Sequence, residues 1–585
     1  MSGTFKTIVE TVRFRASQTP DRPAFIFLKD GEQEEEVRSY QQLHARASSL
    51  AGLLANPARE PSERKLCLLV YPQGLEFIEA FLGCLYAGIV AVPIAVPGKN
   101  RGSDKIGFLI RDAGIQTGLT TAKTLELLQK NFGNDGWFRS LSWVTTDTLP
   151  MTDTTDLPLP KPEDLALLQY TSGSTSQPKG VMVTHANIMA NSAFIRHAFQ
   201  NDSSSVSVCW LPSFHDMGLI DGIIQPLYCG FKAVLLNPVH VVQRPMRWLR
   251  AFRRYGGTYG GAPNFMFDFC VDRSTADERA ELDLRSIRHL YNAAEPIRAS
   301  TLHRFAEAFA ISGFSRKSLF TCFGLAESTL AVTMCRVDCP PAFVTVDADA
   351  LTAGRILYQP AGTPGARELV SSGWPMNDSV VRIVDPQTGR VCEEGEIGEI
   401  WTMGPSVTQG YWHQPALSAE WFEGYTNTGE GPFLRTGDAG FFCKTEGLFV
   451  TGRLKDLIII RGSNHYPQDI ELTVEHSHEA LASNAGAAFS IYTEKGEQLV
   501  VIHELKRVAL PTAPVQDIAH AILREVSLRH ALAPVAVVLL RPNGVFKTTS
   551  GKVQRKACQQ AFLDNSLAEH YRWDVLQQTT TDSKP

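Results

Sequence analysis

Leu165-Ala-Leu-Leu-Gln-Tyr-Thr-Ser-Gly-Ser-Thr-Ser-Gln-Pro-Lys-Gly180 is the stretch on which the reading of this chain turns. Its first six residues are an apolar run, which predicts a buried strand. The strand opens into glycine, serine, threonine and lysine, with Val181-Met-Val-Thr and His185 beyond. Such a loop suits phosphates. Backbone N–H groups and hydroxyls donate hydrogen bonds, glycines allow close approach and lysine brings charge. A Walker A loop places its lysine after the second glycine. Here Lys179 precedes Gly180 and follows a proline. The expectation is a nucleotide grip of another kind, one that orders around its nucleotide.

Outward from this loop, strand-like and helix-like patterns alternate. Lys65–Val70, Ser205–Leu211, Lys232–Leu236, His289–Ala293 and Ser318–Phe323 read as strands, with helices at Arg244–Tyr255 and Ala299–Ile311. Alternation of this kind predicts an α/β fold of layered, largely parallel sheets. From about Val380 the texture changes to short strands between turns (Val380–Val384, Gly398–Thr402, Leu448–Thr451), which predicts an antiparallel, β-rich subdomain. After Gly452-Arg-Leu-Lys-Asp456, helices at Pro467–Ser477 and Pro514–His530 mix with strands at Leu499–Glu504 and Ala536–Leu540. We therefore expect a large N-terminal domain over residues 1–454 and a small mobile α+β domain over 455–585. The polar tail Gln577–Pro585 is expected to be disordered.

A chain of 585 residues is too long for one hydrophobic core. Its net charge of −5, without a basic block, argues against a nucleic-acid partner. The 11 cysteines are scattered, and the nearest pair, Cys335 and Cys339, has no histidines beside it. That pattern predicts reduced thiols in a cytoplasmic protein, not zinc or disulfides. Ala80–Pro97 is uncharged and near membrane-span length, but Gly83, Gly88, Pro93 and Pro97 interrupt it. It reads as the end of a helix, Leu75–Tyr86, leading into a buried strand, Ile89–Ile94. The start of the chain, amphipathic through Thr19, does not read as a secretory signal.

Further motifs follow the loop in order: Trp210-Leu-Pro-Ser-Phe-His-Asp-Met-Gly218, Tyr291-Asn-Ala-Ala-Glu-Pro296, Thr321-Cys-Phe-Gly-Leu-Ala-Glu-Ser328, Arg435-Thr-Gly-Asp438, Gly452-Arg-Leu-Lys-Asp456 and Phe546-Lys-Thr-Thr-Ser-Gly-Lys552. This set resembles the adenylate-forming superfamily of acyl-CoA ligases, luciferases and peptide-synthetase adenylation domains, over nearly the whole chain. The resemblance implies two half-reactions. A carboxylate attacks the α-phosphate of ATP, giving acyl-AMP and pyrophosphate; a thiol or other nucleophile then displaces AMP. ATP and Mg²⁺ are the implied cofactors. Repulsion between anions and charge build-up at phosphorus dominate such a barrier, so catalysis should be electrostatic and positional.

The resemblance also implies roles. Thr171, Ser172, Gly173, Ser174, Thr175 and Lys179 would hold the β- and γ-phosphates, and Glu327 would help to hold Mg²⁺. Ala293, Ala294, Glu295 and Pro296, with the backbone of Cys322, Phe323, Gly324, Leu325 and Ala326, would enclose adenine. Asp438 would accept from the ribose hydroxyls, with Arg453 close by. Lys552 would neutralise the carboxylate and α-phosphate oxygens once the small domain closes about a hinge at Lys455. Lys547, on the preceding loop, is its competitor. His215 and Asp216 would fall beside the acyl carboxylate, a hydrogen-bonded core residue being the alternative reading of His215. Trp210, Asp216, Met217 and Phe265 are candidates for the acyl channel, the apolar ones also reading as core.

The finer wording resembles fatty acyl-AMP ligases. The pointers are His215-Asp-Met-Gly-Leu219, Gly260-Gly-Ala-Pro-Asn-Phe265, Gly431-Pro-Phe-Leu-Arg-Thr-Gly-Asp438 and Leu457-Ile-Ile-Ile-Arg-Gly-Ser-Asn-His-Tyr-Pro-Gln-Asp-Ile-Glu471. In these ligases the acceptor is the phosphopantetheine thiol of an acyl carrier protein or polyketide synthase. An extension at about 340–368 matches their insertion, which implies a restraint on domain closure that disfavours coenzyme A. The expected partners are thus a fatty acid and a carrier domain acting in trans, with neither nucleic acid nor a membrane span. A fatty acyl-CoA ligase and a non-catalytic lipid- or nucleotide-binding protein are the alternatives.

Overall fold

The computed structural model describes residues 5–55, 66–98, 103–151, 157–171, 177–337, 339–376, 378–460, 463–493, 496–548 and 551–575. The tail Gln577–Pro585 lies outside them. Among the described residues, two large sheets form the α/β body. One has nine strands, with a parallel centre in the spatial order Pro23–Leu28, Lys232–Leu236, Val206–Cys209, Tyr259–Ala262, His289–Asn292 and Leu319–Gly324. Antiparallel strands flank it: Glu34–Ser39 at one side, Ala331–Met334 and Trp374–Pro375 at the other. The other has six strands. Ser142–Thr145, Thr117–Thr120, Leu66–Val70, Val90–Ile94 and Leu165–Thr171 run parallel, and Lys179–Thr184 closes the edge antiparallel. Parallel strands covered on both faces read as continuous apolar runs. Leu66-Cys-Leu-Leu-Val70, buried throughout, is an example.

The uncharged stretch resolves as expected. Helix Leu75–Tyr86 is almost wholly buried and leads into strand Val90–Ile94. No helix among the described residues is long and apolar enough to cross a membrane. The helix after the opening hairpin, His185–Phe199, starts at a reciprocal cap between Thr184 and Asn187. The same Asn187 amide donates to the carbonyls of Pro405 (2.9 Å) and Val407 (3.0 Å). Asn191, one turn on, donates to the carbonyls of Ser328 and Ala331. One helix face thus locks strand Lys179–Thr184 to the loops that present Glu327 and Thr408.

The antiparallel subdomain holds Val380–Val384, Gly398–Met403, Leu434–Cys443 and Gly447–Arg453. Within the extension, Phe343–Val346 pairs with Arg367–Val370, and helix Ala348–Thr352 between them is capped by Asp347. Val346, Leu351 and Ile356 pack on Phe441, Phe449 and Tyr466, so the extension is a docked element.

At the C-terminal end, Leu481–Thr493, Gly496–Leu505, Ala536–Leu540 and Glu569–Asp574 form a four-stranded sheet. Helices Pro467–Glu475 and Val515–His530 cover one face and Arg555–Leu563 the other. The long strand Leu481–Thr493 escaped the sequence reading. Its first half, Leu-Ala-Ser-Asn-Ala-Gly-Ala-Ala, has no β-branched residue, and pairing with Gly496–Leu505 supplies what propensity does not.

Candidate active site

The parallel strands end on one side of the body, where open α/β sheets collect ligands. Trp210 follows Val206–Cys209, Phe265 follows Tyr259–Ala262, and Ala293–Pro296 follow His289–Asn292. Cys322, Phe323 and Gly324 close the neighbouring strand, and Leu325 leads into a tight turn over Ala326, Glu327 and Ser328. Two backbone features shape this edge. Ala294 has φ +74°, a left-handed conformation that costs a non-glycine residue about 1–3 kcal/mol. Gly324 must be glycine, because a Cβ there would lie 1.9 Å from the Leu330 carbonyl oxygen. The Glu295 carboxylate, expected at adenine, accepts from the Phe265 N–H at 2.5 Å and so ties two strand ends together.

The rival lysines separate clearly. Lys547 Nζ donates to the Asn484 carbonyl at 2.7 Å. Lys552 instead lies within electrostatic reach of Asp216, Asp438 and Glu295. Burial, reinforced by Arg453, lowers its ammonium pKa; the three carboxylates oppose this without cancelling it. The described residues flanking it are fixed by specific contacts. Thr548 Oγ1 accepts from the Lys552 N–H at 3.1 Å. Gly551 has φ +89°, and a Cβ there would sit 3.1 Å from the Phe265 ring.

Asp438 lies inside strand Leu434–Cys443, cross-paired with Arg453, whose Nε donates to Oδ1 at 3.1 Å. Burial raises this carboxyl, and Arg453 and Lys552 only partly offset it. His215 Nδ1 meets Asp216 Oδ1 at 2.5 Å, and the Met217 N–H donates to the same oxygen at 2.7 Å. Burial alone would raise Asp216. His215, Lys552 and the Met217 N–H outweigh it and hold the carboxyl at about 2. Trp210 and Met217 are buried, and the Trp210 ring meets both Trp248 and Phe265 edge-on at 6.3 Å. These apolar candidates are core residues as well as neighbours of the strand ends.

At the hairpin expected to hold phosphates, Thr171 pairs with Lys179. Ser172, Gly173, Ser174 and Thr175 lie outside the described residues, and the expectation about loop order falls there too. Two aromatic residues that sequence reasoning missed organise the rest. The Tyr411 hydroxyl donates to Glu327 Oε1 at 2.8 Å, and its ring lies 4.9 Å from Lys179 Nζ. Trp421 takes Lys179 Nζ at 5.4 Å and Lys455 Nζ, of the expected hinge, at 4.6 Å over the same indole. The only signal in the sequence was a cluster of aromatics between two motifs.

An indole held by two ammonium groups offsets part of their mutual repulsion. Trp421→Leu should therefore raise the KM for ATP about threefold to thirtyfold, the span of one cation–π contact. The KM for the carboxylic acid should not move, and Trp421→Phe should recover most of the loss. A fall in kcat alone, with both KM values unchanged, would count against this role.

No group of three or more histidine, cysteine or acidic side chains could hold a metal among the described residues. Mg²⁺ needs no such cage, since one or two carboxylates suffice when substrate phosphates supply the other oxygens. Glu327 fits that description. Tyr411 holds Oε1, and among the described residues no donor meets Oε2.

Within the small domain a buried cation braces the segment next to Lys455. Arg555 binds Glu471 with two hydrogen bonds of 2.7 Å and reaches Asp456, next to Lys455, at 3.2 Å. The extension touches both sides of the junction. Arg367 forms an ion pair with Asp469 of helix Pro467–Glu475. His303 of the body bonds Glu368 at 3.0 Å and stacks on Phe343.

The profile of the AMP-binding enzyme family matches residues 12–412. The chain belongs to that family, among the fatty acyl-AMP ligases. A second profile, the AMP domain of Disco-interacting protein 2-like proteins, matches residues 455–572. The medium-chain-fatty-acid–[acyl-carrier-protein] ligase JamA of Moorena producens is 39% identical over 99% of this chain and 98% of its own. The long-chain-fatty-acid–AMP ligase FadD26 of Mycobacterium tuberculosis is 35% identical over 97% of this chain and 99% of its own. Among solved structures, the Legionella pneumophila fatty acyl-adenylate ligase in complex with acyl adenylate and pyrophosphate is 35% identical. It superposes with a TM-score of 0.75 and coverage of 98% of both chains. A structure from a study of such ligases of E. coli and L. pneumophila reaches 0.85 at 31% identity, over 96% of this chain and 98% of its own. These ligases share the mixed α/β architecture described above.

Proposed function

We propose that this fatty acyl-AMP ligase activates a medium- or long-chain fatty acid with ATP and passes the acyl group to the phosphopantetheine thiol of a carrier domain. The convergence of Lys552 with Asp216, Asp438 and Glu295 carries this reading. In the first half-reaction an oxygen of the fatty carboxylate attacks the α-phosphorus and pyrophosphate leaves. Lys552 neutralises the two anions as they meet. Asp216, ionised and bonded to Nδ1 of His215, orients that imidazole and leaves Nε2 for the acyl carboxylate. Asp438 accepts from the ribose hydroxyls, with Arg453 beside it. Thr171, Lys179 and the loop between them grip the departing phosphates. Glu327 would hold Mg²⁺, which supplies positive charge against the triphosphate. In the second half-reaction the thiol sulfur attacks the acyl carbon, loses its proton, and AMP leaves.

The division at Lys455 into a 1–454 body and a 455–585 mobile domain belongs to the same proposal, because Lys552 must depart before a thiol can enter. The extension favours a carrier domain over coenzyme A. Its ion pair from Arg367 to Asp469 and its packing on Tyr466 restrain the movement that follows adenylation. Eleven free cysteines suit a reducing, cytoplasmic setting. The test is direct. ATP, Mg²⁺ and dodecanoate should yield dodecanoyl-AMP and pyrophosphate, and no adenylate with any fatty acid would end the proposal. A holo carrier protein should then take the acyl group, and faster transfer to coenzyme A would identify an acyl-CoA ligase instead.

A further inference from the structure

Residues 409–412 extend the six-stranded sheet past its edge strand, Lys179–Thr184. The Met182 N–H donates to the Gly410 carbonyl at 3.0 Å, the Gln409 N–H to the Met182 carbonyl at 3.1 Å and the Trp412 N–H to the Gly180 carbonyl at 2.8 Å. Tyr411 sits opposite Val181 in an antiparallel bridge. Opposed residues share a sheet face, and so do residues two apart along a strand. Register therefore puts Lys179, Val181 and Tyr411 on one face, which brings the Lys179 ammonium over the Tyr411 ring. The tyrosine itself is firmly seated. It is 3% exposed, its N–H donates to Ser418 Oγ at 2.8 Å, and its ring meets Phe422 edge-on.

The hydroxyl of this fixed ring donates to Glu327 Oε1 at 2.8 Å. The main chain of the same glutamate is held from the same segment. Its carbonyl accepts from both the N–H and Oγ1 of Thr408 at 3.0 Å. Thr408 thus fixes where Glu327 sits, and Tyr411 fixes which way its carboxylate turns. With Oε1 engaged, Oε2, which meets no donor among the described residues, is the oxygen left for a hard cation. A carboxylate free to rotate would offer the cation either oxygen and lose that freedom on binding. Partners of this kind, one step out from a metal, are worth about 10- to 100-fold in metal affinity.

We propose that Tyr411 is a positioning residue for the metal–nucleotide site, its hydroxyl aiming one oxygen of Glu327 at the cation. This rests on the adenylating function proposed above. The test titrates Mn²⁺, which takes the same oxygen ligands as Mg²⁺ and is read by paramagnetic resonance. The nucleotide present is α,β-methylene-ATP, which cannot release pyrophosphate, so binding is measured without turnover. Tyr411→Phe keeps the ring and removes only the hydroxyl. It should weaken Mn²⁺ about 10- to 100-fold. With ATP and dodecanoate, the Mg²⁺ concentration for half-maximal pyrophosphate release should rise by the same factor. At saturating Mg²⁺, kcat and the KM for dodecanoate should stay near wild type. Thr408→Val keeps the Thr408 N–H on the Glu327 carbonyl and should leave Mn²⁺ affinity nearly unchanged. Unaltered Mn²⁺ affinity in Tyr411→Phe overturns the proposal. So does an equal loss in Thr408→Val, or a fall in kcat that Mg²⁺ does not restore. A wild-type enzyme that binds no Mn²⁺ with this nucleotide removes the adenylating function itself, and the proposal with it.

Discussion

Lys552→Ala lowers the rate of acyl-AMP formation by about 10²- to 10³-fold, the cost of losing one preorganised charge at a developing anion. ATP binding should change little, because Asp438, Arg453 and the hairpin ending at Lys179 remain. The control is Lys547→Ala. That lysine donates to the Asn484 carbonyl, so its loss should leave adenylation nearly intact. Single-turnover pyrophosphate release reads both variants, and equal losses would refute the assignment. The pH dependence gives an independent check. Burial first, and Arg453 second, lower the Lys552 pKa. A lowered lysine loses its proton sooner as pH rises, so activity should fall on an alkaline limb below the usual lysine range. Below that limb the ammonium is intact and the rate level. Lys552→Arg should abolish the limb, since guanidinium keeps its proton throughout. A limb that survives this change belongs to another group.

Arg555→Met should destabilise the small domain by about 3–5 kcal/mol, the usual consequence of removing one partner from a buried ion group. Arg555 holds Glu471 through two bonds and Asp456 through a third, and all three side chains are largely buried. Without the guanidinium, two carboxylates face each other with little water. Calorimetry should show an early transition for the C-terminal part, with the body melting near its original temperature. Glu471→Gln combined with Arg555→Met should recover part of the loss, because one stranded charge is gone. A single unshifted transition would mean that water already screens this cluster. Asp456 adjoins Lys455, so the same cation sets one end of the proposed hinge.

Much of this protein was legible in its residues because the relevant signals are local. Continuous apolar runs mark the buried parallel strands, and Leu75–Tyr86, Val380–Val384 and Ala536–Leu540 fall where periodicity places them. Motif spacing brought Asp216, Glu327, Asp438 and Lys552 forward as one set. Propensity failed at Leu481–Thr493, whose alanines and glycine become a strand only through a partner. The motif spacing singled out Asp438 but not its setting, a buried strand position paired with Arg453.

Strand–helix alternation determined the α/β class, and the order of short motifs along the chain determined the family. Each depends on backbone conformation and side-chain type within a few residues. Only the tertiary structure showed where Lys547 is held, because its partner carbonyl lies 63 residues away in the chain. Only it set Trp421 between Lys179 and Lys455, and Tyr411 between Lys179 and Glu327. Those pairings join separate strands and turns across the core, where distance in space, which sequence spacing does not encode, determines the energy.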